Sequence, residues 1–137
     1  MTYPQVLFQN RKPDRIATLE EYQQSGGYQA LADVLQNYSY KDVQEVLIDA
    51  VLLGRGGAAF PAGMKLRTVG EEAPFRRYLV CNADEMEQGT VKERVLINAD
   101  PNMHIEGPFI YGCVARQAKA VSFSLHDTDR RVTLLER

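Results

Sequence analysis

The segment YLVCNADEMEQGT, residues 78–90, decides the fold expected for this chain. Its first four residues are an apolar run between basic and acidic neighbours, a pattern that predicts a buried strand. Further along, Asp100 and Pro101 predict a helix start, because an N-cap carboxylate and a first-turn proline both suit free amides. This helix is expected to reach about Lys119, with a kink or a late start at Gly107 and Pro108.

A second strand is predicted over residues 120–125, so that strand, helix and strand form a right-handed crossover unit. This order indicates an α/β fold class. On the other side of the first strand, the pattern is helical as far as Gly54. The chain therefore divides near Gly54 into residues 1–53 and residues 54–137.

Short helices are predicted before Gly54. Thr18 and Glu21 have the spacing of a capping box, and the helix that they start should end at residues 25–27. A second amphipathic stretch is marked by Leu31, Val34 and Leu35 and closes near Asn37. Ser39 and Asp42 repeat the capping-box spacing, which predicts a third helix. Its apolar face is expected to consist of Val43, Val46, Leu47, Ala50 and Val51.

Length and composition limit the function classes. With 137 residues, 15.5 kDa and 45% hydrophobic residues, the chain can build one modest core. The net charge of −2 argues against a general nucleic-acid binder. No apolar run approaches the roughly 20 residues that cross a bilayer, and residues 1–10 lack the order of a signal peptide. We therefore expect a cytoplasmic protein, or one on the cytoplasmic face of a membrane without direct insertion.

The cysteines and histidines carry no metal signature. Cys81 and Cys113 lie far apart in a predicted strand and helix, which fits a reducing compartment better than disulfide-stapled loops. His104 and His126 have no ligand partners at zinc spacing, and no Cys-x-x-Cys pair is present. No adjacent base in the sequence supports a Cys–His nucleophilic site. All four residues are interpreted as structural.

The glycine loop, residues 54–63 (GRGGAAFPAG), is rich in small residues. Such a loop lets backbone amides approach phosphate, and Arg55 and Lys65 can add positive charge. Gly54, Gly56 and Ala59 match the spacing of a dinucleotide-binding loop, although a helix rather than a strand precedes them. The alternative is that Gly54 caps the preceding helix and the remainder is a flexible connector.

The acidic loop, residues 82–90, follows the predicted strand at the end where ligands bind in open α/β sheets. Its polar side chains include Asn82, Asp84, Glu85 and Glu87. An amide and carboxylates can recognise hydroxyls or ring nitrogens. Three carboxylates can instead hold Mg²⁺. A further alternative is a solvated turn balanced by Lys92 and Arg94.

Together, residues 54–65 (GRGGAAFPAGMK) and residues 81–90 (CNADEMEQGT) resemble two segments of the FMN-binding flavoprotein subunit of NADH-quinone oxidoreductase. Related diaphorase subunits of NAD-linked hydrogenases and formate dehydrogenases share the pattern. The resemblance implies FMN and NADH as ligands, hydride transfer from NADH to FMN, and other subunits of such a complex as partners. It also implies that residues 54–137 are the first half of a Rossmann-like FMN/NADH-binding domain, which follows the N-terminal helical segment 1–53.

The resemblance assigns roles in the glycine-rich segment by matching position. The positions implied to lie against FMN and the NADH phosphates are Gly54, Arg55, Gly56 and Gly57, with Ala58 among the cofactor-binding residues. Phe60 is implied to stack on adenine, and Lys65 to meet phosphate or flavin.

In the acidic segment, the resemblance implies that Asn82, Asp84 and Glu85 contact the ribityl chain or the ring of FMN. Glu87 is implied to sit near the flavin and the nicotinamide, where its charge influences nucleotide binding, and it is the residue assigned to catalysis. An iron–sulfur cluster is expected only in a C-terminal part of the full subunit that these 137 residues do not contain.

The chain departs from the family pattern at several positions. Ala59 stands where the family has glycine, Leu66 where it has tryptophan and Gln88 where it has proline. Thr68 stands where an aromatic residue is commoner, so adenine stacking is expected to be weaker. The chain ends at Arg137, before the family's second flavin-binding segment, and we expect this truncated form to bind FMN poorly and to be inactive alone.

Two alternatives from other function classes remain. The first is a non-catalytic truncated homologue that acts as an assembly or interaction module through exposed apolar surface. The second is a Mg²⁺-dependent phosphate-ester enzyme built on the acidic loop.

Overall fold

The computed structural model describes residues 5–69, 77–85, 87–114 and 118–125. Met86, His126 and the rest of the predicted domain beyond residue 125 lie outside the described residues. Within the described ranges there are six helices and two strands. The helices are α1 (Leu19–Gln24), α2 (Gln29–Asn37), α3 (Tyr40–Asp49), α4 (Ala62–Thr68), α5 (Lys92–Ala99) and α6 (Pro101–Val114). The strands are β1 (Arg77–Ala83) and β2 (Ala118–Leu125).

The two strands lie side by side and run parallel. Leu79 is opposite Val121 and Ala83 is opposite Leu125, so the paired strands end together. The predicted order of strand, helix and strand is confirmed, except that two helices, α5 and α6, connect the strands instead of one. The chain between two parallel strands must return to the end of the sheet at which the first strand begins, and a helical crossover makes that return.

Helix α6 is the element against which most others pack. It contacts α1, α2, α5 and both strands. It begins at Pro101 as predicted, and its Asp100 carboxylate accepts a hydrogen bond from the Met103 amide at 3.1 Å. The helix continues through Pro108, so the expected late start is wrong, and its predicted end at Lys119 is also wrong because that residue lies in β2. Pro108 removes one helical hydrogen bond, and we attribute its tolerance to the packing around α6.

Both predicted capping boxes are confirmed, at Thr18 with Glu21 and at Ser39 with Asp42. The buried apolar face of α3 differs from the prediction. Its buried residues are Tyr40, Val43 and Gln44, whereas the predicted Val46 and Val51 are 52% and 67% exposed. The buried face therefore begins at Tyr40, because α4 packs on that side and the Tyr40 hydroxyl donates a hydrogen bond to the carbonyl of Leu66.

A buried carboxylate holds the N-terminal helices to α6. Glu106 accepts hydrogen bonds from the amides of Tyr28 at 3.0 Å and Leu31 at 3.2 Å, and also from the hydroxyl of Tyr22. Burial and the nearby Glu106 carboxylate raise the pKa of Tyr22, so its hydroxyl remains a donor. Three donors satisfy one anion, which is the condition under which a buried charge is tolerated.

None of the helices in the described ranges is both long and apolar enough to cross a membrane.

Candidate functional site

The glycine loop is closed at its base by backbone hydrogen bonds. The Gly54 amide donates to the Phe60 carbonyl at 2.8 Å, and the Ala62 amide donates to the Leu52 carbonyl, also at 2.8 Å. Helix α3 ends at Asp49, so the expectation that it runs to Gly54 is wrong. These bonds fix both ends of the loop, and they disfavour the flexible-connector alternative.

The middle of the loop presents bare backbone. A Cβ atom added at Gly56 or Gly57 would have no other atom within 4 Å. Gly57 has a φ of 103°, a conformation that residues with a side chain rarely adopt. Open space beside an unhindered backbone is the condition under which a ligand can approach main-chain amides closely.

The glycine loop and the acidic loop line one cleft of about 500 Å³. One side is formed by Arg55, Gly56 and Gly57. The other side is formed by the acidic loop and the start of α5, through Asn82, Asp84, Glu85, Glu87, Thr90, Lys92 and Glu93. This volume lies within the range of small-molecule sites, roughly 300–1,000 Å³. The structure therefore brings together seven of the predicted site residues, three from the first loop and four from the second.

The remaining predicted site residues do not line this cleft. Gly54 lies at the loop base, and Ala58 lies just beyond the bare glycines. Phe60 is 52% exposed, and Lys65 is an exposed residue of α4. Their assigned roles therefore stay predictions.

The acidic loop is shaped by two short-range turns. The side-chain oxygen of Asn82 accepts a hydrogen bond from the Asp84 amide at 2.9 Å. The Thr90 amide donates to the Glu87 carbonyl at 3.1 Å, and Gly89 has a φ of 80°, as the third residue of a type II turn requires. Asn82 also lines the cleft, and its side chain carries an NH2 donor group besides the oxygen that is used in the turn.

Glu85 holds the start of α5. Its two carboxylate oxygens accept hydrogen bonds from the amides of Glu93 at 3.0 Å and Arg94 at 3.3 Å. Desolvation raises the pKa of Glu85, but hydrogen bonds with the Glu93 side chain and the α5 amides outweigh it, so the pKa lies below its ordinary value. Glu85 is thus an anion at neutral pH, placed where a helix N-terminus favours one.

Lys92 connects the two sides of the cleft. Its ammonium group donates a hydrogen bond to the carbonyl oxygen of Arg55 at 3.1 Å and forms an ion pair with Glu93. The hydrogen bond to Glu93 raises the pKa of Lys92. The sequence pattern indicates neither this role of Lys92 nor helix α5, although Thr90 and Glu93 have capping-box spacing.

Cys81 and His104 lie next to each other, which the sequence did not indicate. The Cys81 sulfur is 3.7 Å from Nε2 of His104, across 23 residues of sequence. Burial raises the pKa of the Cys81 thiol and lowers the pKa of the His104 imidazole. Both groups are therefore neutral at pH 7, unlike the thiolate of a reactive cysteine. The contact fits the structural interpretation, and it joins β1 to α6.

The Mg²⁺ alternative finds no support from geometry. Among the residues that the structure describes, no three His, Cys, Asp or Glu side chains are grouped closely enough to hold a metal ion. Glu85 is turned toward the amides of α5 and Asn82 toward its own loop.

The class of protein is given by comparison with known families. Residues 47–133, more than half of the chain, match the family model described as the Nuo51 FMN-binding domain. The matched region contains the glycine loop, the acidic loop and both strands. The chain therefore belongs to the family of complex I flavoprotein subunits that this domain defines.

Individual relatives agree with this family, and each is a subunit of an NADH-quinone oxidoreductase. The chain is similar to the relative in Aquifex aeolicus, with 42% identity over 105 residues that cover 77% of this chain and 24% of the relative. It is 45% identical to a relative in Rhizobium meliloti over 89 residues, 65% of this chain and 21% of the relative. It is 40% identical to the relative in Escherichia coli over 93 residues, 67% and 21% respectively. The chain thus spans between a fifth and a quarter of the length of each relative.

Proposed function

We propose that the cleft between the glycine loop and the acidic loop is part of an FMN- and NADH-binding site in which NADH is oxidised. The observation that carries this proposal is that Arg55, Gly56 and Gly57 face Asn82, Asp84 and Glu87 across one cavity of about 500 Å³. The proposed setting is an NADH dehydrogenase complex, with other subunits as partners and a cytoplasmic or peripheral location. A Rossmann-like continuation of the parallel β1–β2 pair and a domain boundary near Gly54 belong to the same proposal.

The cleft residues fit a flavin nucleotide because the cleft offers two kinds of recognition. The bare backbone of Gly56 and Gly57, with the charge of Arg55, suits a phosphate group. Asp84 and Glu87 on the opposite side are acceptors for ribityl hydroxyls, and the Asn82 amide group is a donor. FMN carries both phosphate and hydroxyls, which is the combination that these two sides can bind.

Bound FMN would supply the redox chemistry, as the acceptor of hydride from the nicotinamide of NADH. The chain's own residues would bind and orient the two nucleotides. Glu87, held in its turn by Thr90, would place negative charge near the rings and limit how tightly a reduced anionic nucleotide stays bound. Glu85 would act as a positioning residue through α5, because its oxygens are already bonded to α5 amides.

The cofactor roles outside the cleft are proposed in the same way. Phe60 is exposed and can offer a ring face to adenine, and Lys65 can approach a phosphate from α4. Gly54 and Ala58 would support the loop beside the bare glycines. The comparisons do not favour the alternative of a non-catalytic assembly module.

An FMN titration followed by flavin fluorescence tests the proposal. We expect weak, saturable binding to the chain. Gly56→Val adds bulk to the cleft side of the loop, at a position where an added Cβ would have no other atom within 4 Å, so it should weaken binding by about tenfold or more. Ala32→Val, on the exposed surface of α2, is the matched control and should bind as the parent does. Equal affinity for all three proteins would contradict the proposal.

A further inference from the structure

A second, larger cavity lies between the N-terminal segment and α5. It measures about 710 Å³, and it is hereafter called the basic cleft. Four of the ten residues that line it are cationic, namely Arg11, Lys12, Arg15 and Arg94, and none is acidic. The cleft between the glycine loop and the acidic loop has the opposite balance of charge. Its carboxylates are Asp84, Glu85, Glu87 and Glu93, and its cations are Arg55 and Lys92. The lining of the basic cleft therefore carries a net positive charge, whereas the lining of the other cleft carries a net negative charge.

Part of the lining of the basic cleft is apolar. Val95 and Ala99 lie four residues apart on one face of α5. Val91, the residue just before the helix, and Ile16 of the N-terminal segment also line the cleft. Helix α5 also contributes two polar residues to the lining, Arg94 and Asn98. A lining that combines cationic and apolar side chains is suited to a molecule with an anionic head and an apolar body.

The four cationic side chains differ in whether they are already paired with a carboxylate of the protein. Both terminal nitrogens of Arg15 donate to the Glu21 carboxylate at 2.6 Å, and Lys12 is 3.8 Å from the same carboxylate. Arg11 lies 5.5 Å from the ring centre of Phe8. Within the described part of the chain, neither Arg11 nor Arg94 forms an ion pair with a carboxylate. These two guanidinium groups are therefore free to bind an external anion, and guanidinium pairs well with phosphate and carboxylate.

The cavity has fixed walls. The N-terminal segment is attached to α6 through Asn10, whose amide donates to the buried Asp100 carboxylate at 2.7 Å. It is attached to α1 through the bonds of Arg15 to Glu21. On the other wall, the backbone amide of Arg94 is bonded to Glu85, so the residue is fixed at the helix start while its side chain lines the basic cleft.

We propose that the basic cleft binds an amphipathic anion, a phosphate or carboxylate head on an apolar body, with Arg11 and Arg94 holding the head. This site is separate from the proposed FMN cleft, which is lined by Lys92 and Glu93 of α5, whereas the basic cleft is lined by Arg94 and Val95. Its failure would leave the FMN proposal unchanged, since the two sites share no lining residue.

Calorimetric titration of the whole chain with octyl phosphate, below its micelle concentration, tests the proposal. Inorganic phosphate is the probe for the head alone, and vesicles that contain phosphatidylglycerol present a phosphate on a lipid surface. We expect saturable binding of octyl phosphate, weaker binding of inorganic phosphate, and an affinity that falls as salt is added. Binding to vesicles at the same site would identify a lipid as the source of the head group.

Two variants and a control make the result decisive. Arg94→Gln and Arg11→Gln should each weaken octyl phosphate binding by about tenfold, as expected for a lost charge-assisted hydrogen bond. Arg67→Gln removes a cation from α4, outside the cleft, and should leave binding unchanged. Circular dichroism confirms that each variant is folded. Equal binding by the Arg11 and Arg94 variants and the parent, or no saturable binding of any probe, would overturn the proposal.

Discussion

Nζ of Lys92 donates a hydrogen bond to the carbonyl oxygen of Arg55 at 3.1 Å, although 37 residues separate them in the sequence. The bond joins the first turn of α5 to the glycine loop. The same helix turn is bound by Glu85 of the acidic loop, through the amides of Glu93 and Arg94. The start of α5 therefore holds both loops of the cleft in place.

Lys92→Met should loosen the glycine loop, because the loop then loses its bond to α5. We expect trypsin to cleave the variant after Arg55 about threefold faster than the parent. This is the size of effect expected when one exposed hydrogen bond is lost. The rate can be measured by mass spectrometry of timed digests. Lys65→Met also removes one lysine but no bond to the loop, so it should leave this rate unchanged. Equal rates in all three proteins would show that Lys92 does not restrain the loop.

Ala59→Gly should stabilise the protein. Ala59 has a φ of 51°, in the left-handed region that glycine adopts without strain. Relief of this backbone strain outweighs the conformational entropy that glycine loses on folding, so the free energy of unfolding should rise by about 0.5 kcal/mol. Ala58→Gly is the matched control: Ala58 has no positive φ, so this change should lower stability by about 0.4–1 kcal/mol. Urea unfolding measures both, and a loss of stability in Ala59→Gly would contradict the expectation.

Gln88→Pro should pre-form the acidic loop. Gln88 is the second residue of the turn that Glu87 and Thr90 close, and the φ of 80° at Gly89 is typical of a type II turn, which favours proline at that second position. The expected gain in unfolding free energy is about 0.4–1 kcal/mol, with tighter FMN binding. Thermal unfolding and the FMN titration measure the two effects. A destabilised variant would show that the turn has another geometry.

Gly63→Ala should destabilise the packing of α4 on α3. A Cβ at Gly63 would lie 2.9 Å from the amide nitrogen of Ile48 and 3.0 Å from the carbonyl oxygen of Gln44, and backbone atoms cannot easily move aside. We expect a loss of about 1–3 kcal/mol in urea unfolding. Gly56→Ala, which meets no atom, is the control and should cost little. Gly63 is therefore a packing residue, although the sequence places it in the glycine loop.

Stability at acid pH should depend on Glu21. The hydrogen bond from Arg15 and that from the Thr18 amide lower its pKa from 4.5 to about 2. A carboxyl with a lowered pKa in the folded state stabilises fully above its ordinary value, and this contribution is lost as the pH falls from about 4.5 to about 2. Glu21→Gln should remove this part of the pH dependence, whereas the neighbouring Glu20→Gln should retain it. Urea unfolding at a series of pH values separates the two outcomes.

The sequence predicts those structural features that depend on residues close together in the chain. The capping boxes of α1 and α3 use contacts three residues apart, so the spacing of Thr18 with Glu21 and Ser39 with Asp42 was sufficient. The capping-box spacing of Thr90 and Glu93 does not mark the N-cap of α5, which is Val91; the first amides of the helix are bound instead by Glu85, which precedes the helix and has no standard capping position. The contact of Cys81 with His104 and the bond of Lys92 to Arg55 depend on how distant segments pack, which no local pattern records.

The structure gives physical reasons for the residues at which the chain departs from the family pattern. Leu66, where the resemblance implies tryptophan, is fully buried beneath α3, so that position belongs to the core. Thr68 is exposed, and its hydroxyl donates to the Lys65 carbonyl at 2.7 Å. Ala59 and Gln88 occupy backbone positions that favour glycine and proline respectively. A sequence pattern marks such positions as different but cannot say whether a ligand, a core or a turn selects the residue.

The central claim is that two loops distant in sequence bind one FMN molecule together. Nuclear magnetic resonance of the nitrogen-labelled chain, titrated with FMN, tests this claim directly even when binding is weak. The account predicts that the amide signals of Gly56 and Gly57 and those of Asp84 and Glu87 shift together, with one common dissociation constant. Shifts confined to one loop, different constants for the two loops, or no shift in either would contradict it.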